Sequence, residues 1–315
     1  MKVLCAATLL AWSFSAVAAE PCQYHAPRNT TLNAAGLQQL AIQIGPDELT
    51  LHGEPGLTQI IVKGTACASN PKWLPGTKLD VTREGATVRM VAQDGATHDI
   101  FSWFGNSYAY LKLDIAVPQA LAVKLGVGSG DATASKLAAL DATVGSGDLA
   151  VQSISGEFGL GVGSGDAKAQ AVGSLKLSSV GSGDAEIDGV HGDAHAGSVG
   201  SGDLLINHVG GKVTLGSVGS GDAKLSDVSG SVAAQSIGSG DLVIHGAKGD
   251  ITVGSVASGD VTIKQAGGNV HADSVGSGSF AADGVAGNYS VGVLGSGDAD
   301  HKHVKGTVSV PHGDD

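Results

Sequence analysis

The chain has 315 residues, with 18 Lys/Arg against 30 Asp/Glu, a net charge of −12, 50 glycines and 4% aromatic residues. An acid excess of this size argues against nucleic acid or anionic lipid as partners, since both need a basic face, and favours cations or basic surfaces. The charge is lopsided: residues 20–126 hold 8 Lys/Arg and 9 Asp/Glu, whereas residues 127–315 hold 9 and 21.

Residues 1–19 read as a signal peptide. Lys2 supplies the positive start, Val3 to Ala11 is an apolar core, and Ala16-Val17-Ala18-Ala19 offers small-residue cleavage. The segment is too short for a membrane anchor, and no later apolar run is long enough to span a bilayer. Cys22 follows Ala19-Glu20-Pro21, unlike a Leu-Ala-Gly-Cys lipidation site. The mature chain is therefore expected to be soluble and exported, to the periplasm, the outer surface or the medium. Cys5 leaves with the signal, so Cys22 and Cys67 remain as an even pair in an oxidising compartment, which predicts a disulfide. On the chain-entropy model a loop of that size contributes about 4 kcal/mol. A two-cysteine metal site lacks close-spaced partner ligands.

Residues 20–126 read as β structure without a clean period. Ile42 and Ile44, Leu49 and Leu51, Ile60 and Val62, Leu79 and Val81, and Val88 and Met90 alternate, with Glu84-Gly85 as a hairpin turn. Leu111, Leu113, Ile115 and Val117 form the strongest strand, ended by Pro118; Leu121, Val123, Leu125 and Val127 then run into the repeats without a linker. This region is expected to continue and cap the repeat structure. Phe101, Trp103, Phe104, Tyr108 and Tyr110 surround Gly105-Asn106. They suit a hydrophobic plug over the first coils, or an exposed loop for a glycan or protein.

From Val127 the tetrad Gly-Ser-Gly-Asp, or a close variant, recurs ten times behind Val, Ile or Leu. Its last residue is Asp131, Asp148, Asp166, Asp184, Asp203, Asp222, Asp241, Asp260, Ser279 and Asp298, with a spacing of nineteen from Asp184 onward. Apolar residues stand one and three positions after it, as in Leu204 and Ile206 or Leu242 and Ile244. A second alternating pair comes next, as in Val213 and Leu215 or Ile251 and Val253. Two short alternating strands and two turns per unit leave no room for a helical crossover. The prediction is an all-β, single-chain parallel β-helix or β-solenoid with about one 19-residue repeat per coil over 127–310, an irregular β-rich cap over 20–126 and a tail at 311–315. Right-handed coiling is favoured, as for other parallel connections.

The strand-Pro-strand passage Leu111 to Val127, leading into repeated Ser-Gly-Asp coils, resembles the bacterial β-strand-repeat domains of unknown function grouped with adhesins, the "head GIN" auto-transporter-adhesin-like family. The likeness runs from about Leu40 to the C-terminus. It implies a β-helical fold and an envelope or exported location, and no catalytic residues to carry over.

Three sets of residues are candidates for chemistry. The Asp row of Asp131, Asp148, Asp166, Asp184, Asp203, Asp222, Asp241, Asp260 and Asp298 would stack near 4.8 Å, where unit charges repel by roughly 0.9 kcal/mol in water. Bound cations, calcium above all, would relieve that repulsion. In the simpler reading the glycines supply positive φ while Ser and Asp cap turn amides. The motif departs from the calcium β-roll, having one Asp-bearing turn per period of nineteen. His301, His303 and His312 could meet a transition metal, but His301 and His303 are expected to share one face of the last coil in a satisfied or solvent-facing role. The aromatic cluster is the third set.

Nucleophile-elbow, zinc-helix and phosphate-loop patterns are absent from the sequence. The preferred function is a non-enzymatic structural or interaction protein of the bacterial envelope, adhesin-like or a scaffold, with an envelope protein or glycan as partner and with self-association open. The alternatives are a calcium-binding repeat protein and a polysaccharide-active β-helix enzyme, which would need long loops that build a cleft.

Overall fold

The computed structural model describes residues 22–96 and 107–311. The signal-peptide reading at 1–19 lies outside the described residues, as do Phe101, Trp103, Phe104 and His312.

Among the described residues the strands before the repeats are β1 (Tyr24–Pro27), β2 (Thr30–Asn33), β3 (Gln39–Ile44), β4 (Glu48–Glu54), β5 (Gln59–Ala68), β6 (Lys78–Glu84), β7 (Thr87–Gln93), β8 (Ala109–Pro118) and β9 (Ala122–Val127). Among the described residues one 3-10 turn, Pro71–Trp73, interrupts them. Coil stacking starts earlier than the tetrads do. β3 pairs in parallel with β9, and β4 pairs in parallel with Asp131–Leu137, so Gln39–Glu54 already forms a coil. Its corner is Gly45-Pro46-Asp47-Glu48, with Glu48 opposite Asp131.

Below that coil both sheets change pairing. β8 runs parallel to β4 but antiparallel to β5, and β5 is antiparallel to β1 and β2 on its other side. On the other face β7 is parallel to β3 and antiparallel to β6. The cap thus extends the two solenoid sheets and ends them in antiparallel strands that local turns can connect. Cys22 and Cys67 are joined by a disulfide, Cα–Cα 5.2 Å, which fastens the chain before β1 to β5.

Above it lies a parallel β-solenoid of about ten turns with nineteen-residue spacing. Each coil sends six side chains inward. In the coil that begins at Asp203 these are Leu204, Ile206, Val209, Val213, Leu215 and Val218, none more than 1% exposed. Each faces its equivalent one coil on: Leu204 to Ala223, Ile206 to Leu225, Val213 to Val232. At about 4.8 Å per coil, ten coils rise roughly 45 Å. The core is narrow, so small and large residues trade places within a coil: Phe280 and Tyr289 stack at 5.6 Å across the coil that also holds Ala282. The Tyr289 hydroxyl donates to the Phe280 carbonyl at 2.7 Å, which satisfies the one polar atom that this ring brings inside.

The coils that begin at Asp148 and Asp166 are shorter than the later ones for a visible reason. Asp148–Val162 and Asp166–Val180 each run as one strand of 15 residues, with register shifts at Ile154/Glu157 and Leu160/Gly161. From Asp184 on, an extra residue opens a second turn and the strand divides in two, as in Ala185–Val190 and Ala194–Val199.

Candidate functional site

The Gly-Ser-Gly-Asp corner is held by backbone contact between coils. None of its glycines has a positive φ, contrary to the expectation that they supply left-handed turns. They are needed because the chain passes too close to the coil beneath. A Cβ on Gly221, the second glycine of its tetrad, would collide with the Gly202 carbonyl oxygen. A Cβ on Gly219, the first, would stand 2.8 Å from the Gly200 oxygen, a smaller misfit. The sequence respects the difference: Ala257 replaces a first glycine, and every tetrad keeps the second.

The Asp row is outward and exposed, and it is a hydrogen-bond ladder. Oδ1 of Asp166, Asp184, Asp203, Asp222 and Asp241 each accepts the backbone N–H of the next Asp of the row, at 3.0–3.1 Å. Asp260 accepts from both the N–H and the hydroxyl of Ser279. Where the carboxylate is missing, the bond reverts. Asp298, above Ser279, donates its N–H to the Gly278 carbonyl at 3.1 Å; Asp148 and Asp166 also donate to carbonyls, of Gly130 and Gly147 at 3.3 Å, although Asp131 and Asp148 lie beneath them. Asp166, Asp184, Asp203, Asp222, Asp241 and Asp260 thus each cap a neighbour's amide. Among the described residues no group of three or more His, Cys, Asp or Glu is placed to hold a metal ion.

Two further rows escaped the sequence reading. Five positions after the corner residue the backbone is left-handed in each of the ten tetrad coils, at Lys136, Ser153, Ala171, Gly189, His208, Asp227, Gly246, Gln265, Gly284 and His303, with φ between 52° and 78°. This bend turns the strand so that the next residue, such as Val190 or Val209, points into the core. Only three of the ten are glycine, so composition gives little sign of the row. The second is a ladder at the other turn: Asp193 accepts from the Lys212 N–H, Asp250 from Asn269, Asn269 from Asn288 and Asn288 from Thr307. Its signal is the Asp or Asn that recurs nine positions after the corner.

The left-handed row changes the reading of the C-terminal histidines. His301 and His303 do not share a face. His301 lies at the mouth of the core against Tyr289, with ring centroids 5.4 Å apart. His303 sits in the left-handed position and turns outward to Asp283, its Nδ1 2.7 Å from Oδ1. The same device occurs at His208, whose Nδ1 is 2.7 Å from Asp188 Oδ1 and whose Nε2 is 3.6 Å from Asp227 Oδ2. The hydrogen bond that His208 donates to Asp188 holds the His208 pKa above its ordinary value. His208 and Asp227 line, with His191 and Lys248, a shallow depression of about 450 Å³ along this bend.

Tyr108 and Tyr110 stand on the cap, with ring centroids 5.8 Å apart. The Tyr108 hydroxyl accepts the Gln23 N–H at 3.1 Å, next to the disulfide, and Lys112 Nζ lies 5.6 Å from the centroid of Tyr110. These two members of the aromatic cluster pack around β1, β5 and β8. Asp47, buried where later coils have glycine, accepts the N–H of Leu111 at 2.7 Å and of Gly45 at 2.9 Å; burial raises its pKa.

No family model matches the chain, and no curated protein matches it. Similar solved structures are a "putative adhesin" from Parabacteroides merdae (12% identity, covering 91% of this chain and 96% of that one, TM-score 0.35) and another from Parabacteroides distasonis (13%, 91% and 97%, 0.33). A third, a "putative lipid binding protein" from Parabacteroides distasonis, is 14% identical over 90% and 96%, with a TM-score of 0.28. No helix among the described residues is long and apolar enough to cross a membrane.

Proposed function

We propose that the chain is an exported, non-enzymatic interaction protein of the bacterial envelope, adhesin-like or a scaffold, whose long regular surface contacts an envelope protein or glycan. The observation that carries this reading is that six carboxylates of the Asp row, from Asp166 to Asp260, are engaged in holding coils together. The Asp row caps amides, the second row of Asp and Asn does the same, and Asp47 has both carboxylate oxygens on backbone N–H groups. A polysaccharide-cleaving site needs free acidic groups gathered in a cleft, and the turns between these coils are too short to build one. The Cys22–Cys67 disulfide supports an oxidising compartment.

The test has two parts. Fractionation of producing cells, with mass determination of the recovered chain, should find a protein outside the cytoplasm that lacks residues 1–19. A glycan array and purified envelope polysaccharides should then show saturable retention without release of new reducing or unsaturated ends. Release of such ends would overturn the non-enzymatic reading, and a cytoplasmic, uncleaved chain would overturn export.

A further inference from the structure

The chain has three arginines, and two of them are tied to main-chain carbonyls. Arg28 donates to the carbonyls of Pro27, Leu74 and Thr77, and Arg83 to those of Asn33, Ala35 and Gly85. Arg89 is exposed on the outer face of β7 and has no hydrogen-bond or salt-bridge partner among the described residues.

The register of the sheet gives that arginine a setting. β7, β3 and β9 run parallel, and Arg89, Ala41 and Lys124 stand side by side in one row. At about 4.8 Å per strand the two cations are rooted roughly 10 Å apart, on either side of a methyl group. A shallow dish of about 200 Å³ opens there, between Arg89, Lys124, Gln43 and Thr143, with Ala41 and Gly126 in its floor. The Gln43 amide lies across Gly126, where a Cβ would collide with it.

Neighbouring acids leave both cations available. Asp141 Oδ2 is 3.9 Å from Lys124 Nζ, and its Oδ1 leans over Gly159 in the next coil, where a Cβ would stand 2.9 Å from it. Asp80 is held by Lys78 at 2.8 Å, and Glu84 stands across from Thr87 rather than Arg89. The Asp row lies at the corner, beyond the end of β9 and outside this face.

We propose that the dish binds the carboxylate of an acidic sugar in a surface glycan, the group bridging Arg89 and Lys124 above Ala41. The planar fork of Arg89 matches a carboxylate with two parallel hydrogen bonds, and Lys124 adds a point charge. The Gln43 amide and the Thr143 hydroxyl, with no side-chain hydrogen bond among the described residues, face sugar hydroxyls as donors and acceptors. The volume is below the roughly 300–1,000 Å³ of sites that enclose a whole small molecule, so the dish takes one sugar of a longer chain. Gly159 and Gly161, beyond Asp141 and Thr143, leave the sheet face open for the rest of that chain. The inference rests on the glycan branch of the function proposed above.

NMR titration of the purified protein with a galacturonate trisaccharide and with its neutral galactose counterpart tests this. The acidic sugar should give saturable shifts at the amides of Ala41, Gln43 and Gly126 and at Arg89 Nε, and the neutral one should give none. Arg89→Gln and Lys124→Gln should each weaken binding about fivefold, and Ala41→Glu, which sets a carboxylate in the dish, should abolish it. Lys224→Gln, on the other sheet, should leave it unchanged. Equal binding of the neutral sugar, equally tight binding of a glutamate tripeptide, shifts confined to other residues, or undiminished binding by folded Arg89→Gln protein would each overturn the proposal. On the glycan array, retention of neutral glycans alone would overturn the dish and leave the glycan reading standing, whereas retention of none would remove both.

Discussion

Asp47 accepts the backbone N–H of Leu111 at 2.7 Å from the row that glycine fills in every later coil. Gly130 stands directly above it, so close that a Cβ there would collide with the Asp47 carbonyl oxygen. Asp47 can carry a side chain because no further corner lies beneath it. Its carboxylate points into that space and takes the Gly45 N–H, which in the next coils goes to a carbonyl below, as Gly145 does to Val127. One residue thereby closes the corner row that the glycines propagate.

Removing the carboxylate should therefore expose two amides at once. Asp47→Ala leaves the Leu111 and Gly45 N–H groups without acceptors inside the cap, at a cost of about 2–4 kcal/mol, while Asp47→Asn keeps one acceptor and should cost less. The pH dependence has a definite sign. Burial raises the Asp47 pKa above its ordinary 3.8, so the folded state binds the proton more tightly. Its contribution to stability is then fullest below pH 3.8 and declines as pH rises through the raised value. Urea midpoints of the native protein and Asp47→Asn across the acid-to-neutral range check this: the native advantage should shrink with rising pH.

The two glycines of one tetrad make an internally controlled pair. Gly221→Ala drives a methyl into the Gly202 carbonyl, and backbone cannot move aside without disturbing the register of two coils. A loss of about 3 kcal/mol is expected. Gly219→Ala meets a milder approach that Ala257 already survives elsewhere, and should cost about 1 kcal/mol or less. Equal losses in denaturant unfolding would mean that the inter-coil contact is not what selects glycine.

At the left-handed bend the direction reverses. Ala171 holds φ 55° and Gly189 holds φ 78° at equivalent positions of consecutive coils. Ala171→Gly should stabilise the chain by about 1 kcal/mol, and Gly189→Ala should destabilise it by a similar amount, because the left-handed conformation costs an L side chain roughly that much. Thermal melts of the two variants should move in opposite directions.

That bend also marks where the sequence stops being readable. The solenoid, its period and the inward rows could be read because Leu204, Ile206, Val213 and Leu215 recur at fixed offsets, and a period of two in each segment has one structural meaning. The bend is specified by tertiary stacking: Ala171 and Gln265 have no local preference for a left-handed φ and adopt it above Ser153 and Gly246, which bend the same way. The first coil was hidden for a related reason. Gly-Pro-Asp-Glu does not look like Gly-Ser-Gly-Asp until Glu48 is seen opposite Asp131. The antiparallel cap gave alternating strands but no sign of which strand met which, since pairing across β5 and β8 depends on contacts far apart in the chain.

His208 offers a titration that reads one inter-coil contact. Its Nδ1 lies 2.7 Å from Asp188, and that hydrogen bond raises its pKa above 6.5. An NMR titration should place the midpoint above 6.5, and Asp188→Asn should bring it back down. The protonated pair contributes its stability in full below pH 6.5 and loses it as pH rises through the raised value. Because the ring is exposed to solvent, the melting temperature should hardly move while the midpoint does.

The Asp row yields the prediction that separates a structural ladder from a cation site. Asp222 Oδ1 accepts the Asp241 N–H at 3.0 Å, and its neighbours along the row are like charges. Asp222→Ala removes that acceptor, but the freed N–H has a second option, since Asp298 above Ser279 simply donates to the Gly278 carbonyl. The loss should be about 1 kcal/mol or less, the net value of one hydrogen bond, offset in part by relief of repulsion from Asp203 and Asp241. If the row instead held calcium, the same variant would remove a ligand, and the folded chain would melt higher with excess calcium than with chelator. Each ladder carboxylate already commits one oxygen to an amide, so coincident transitions with calcium and with chelator are expected. A rise of several degrees with calcium, abolished in Asp222→Ala, would show that the row carries ions as well as hydrogen bonds.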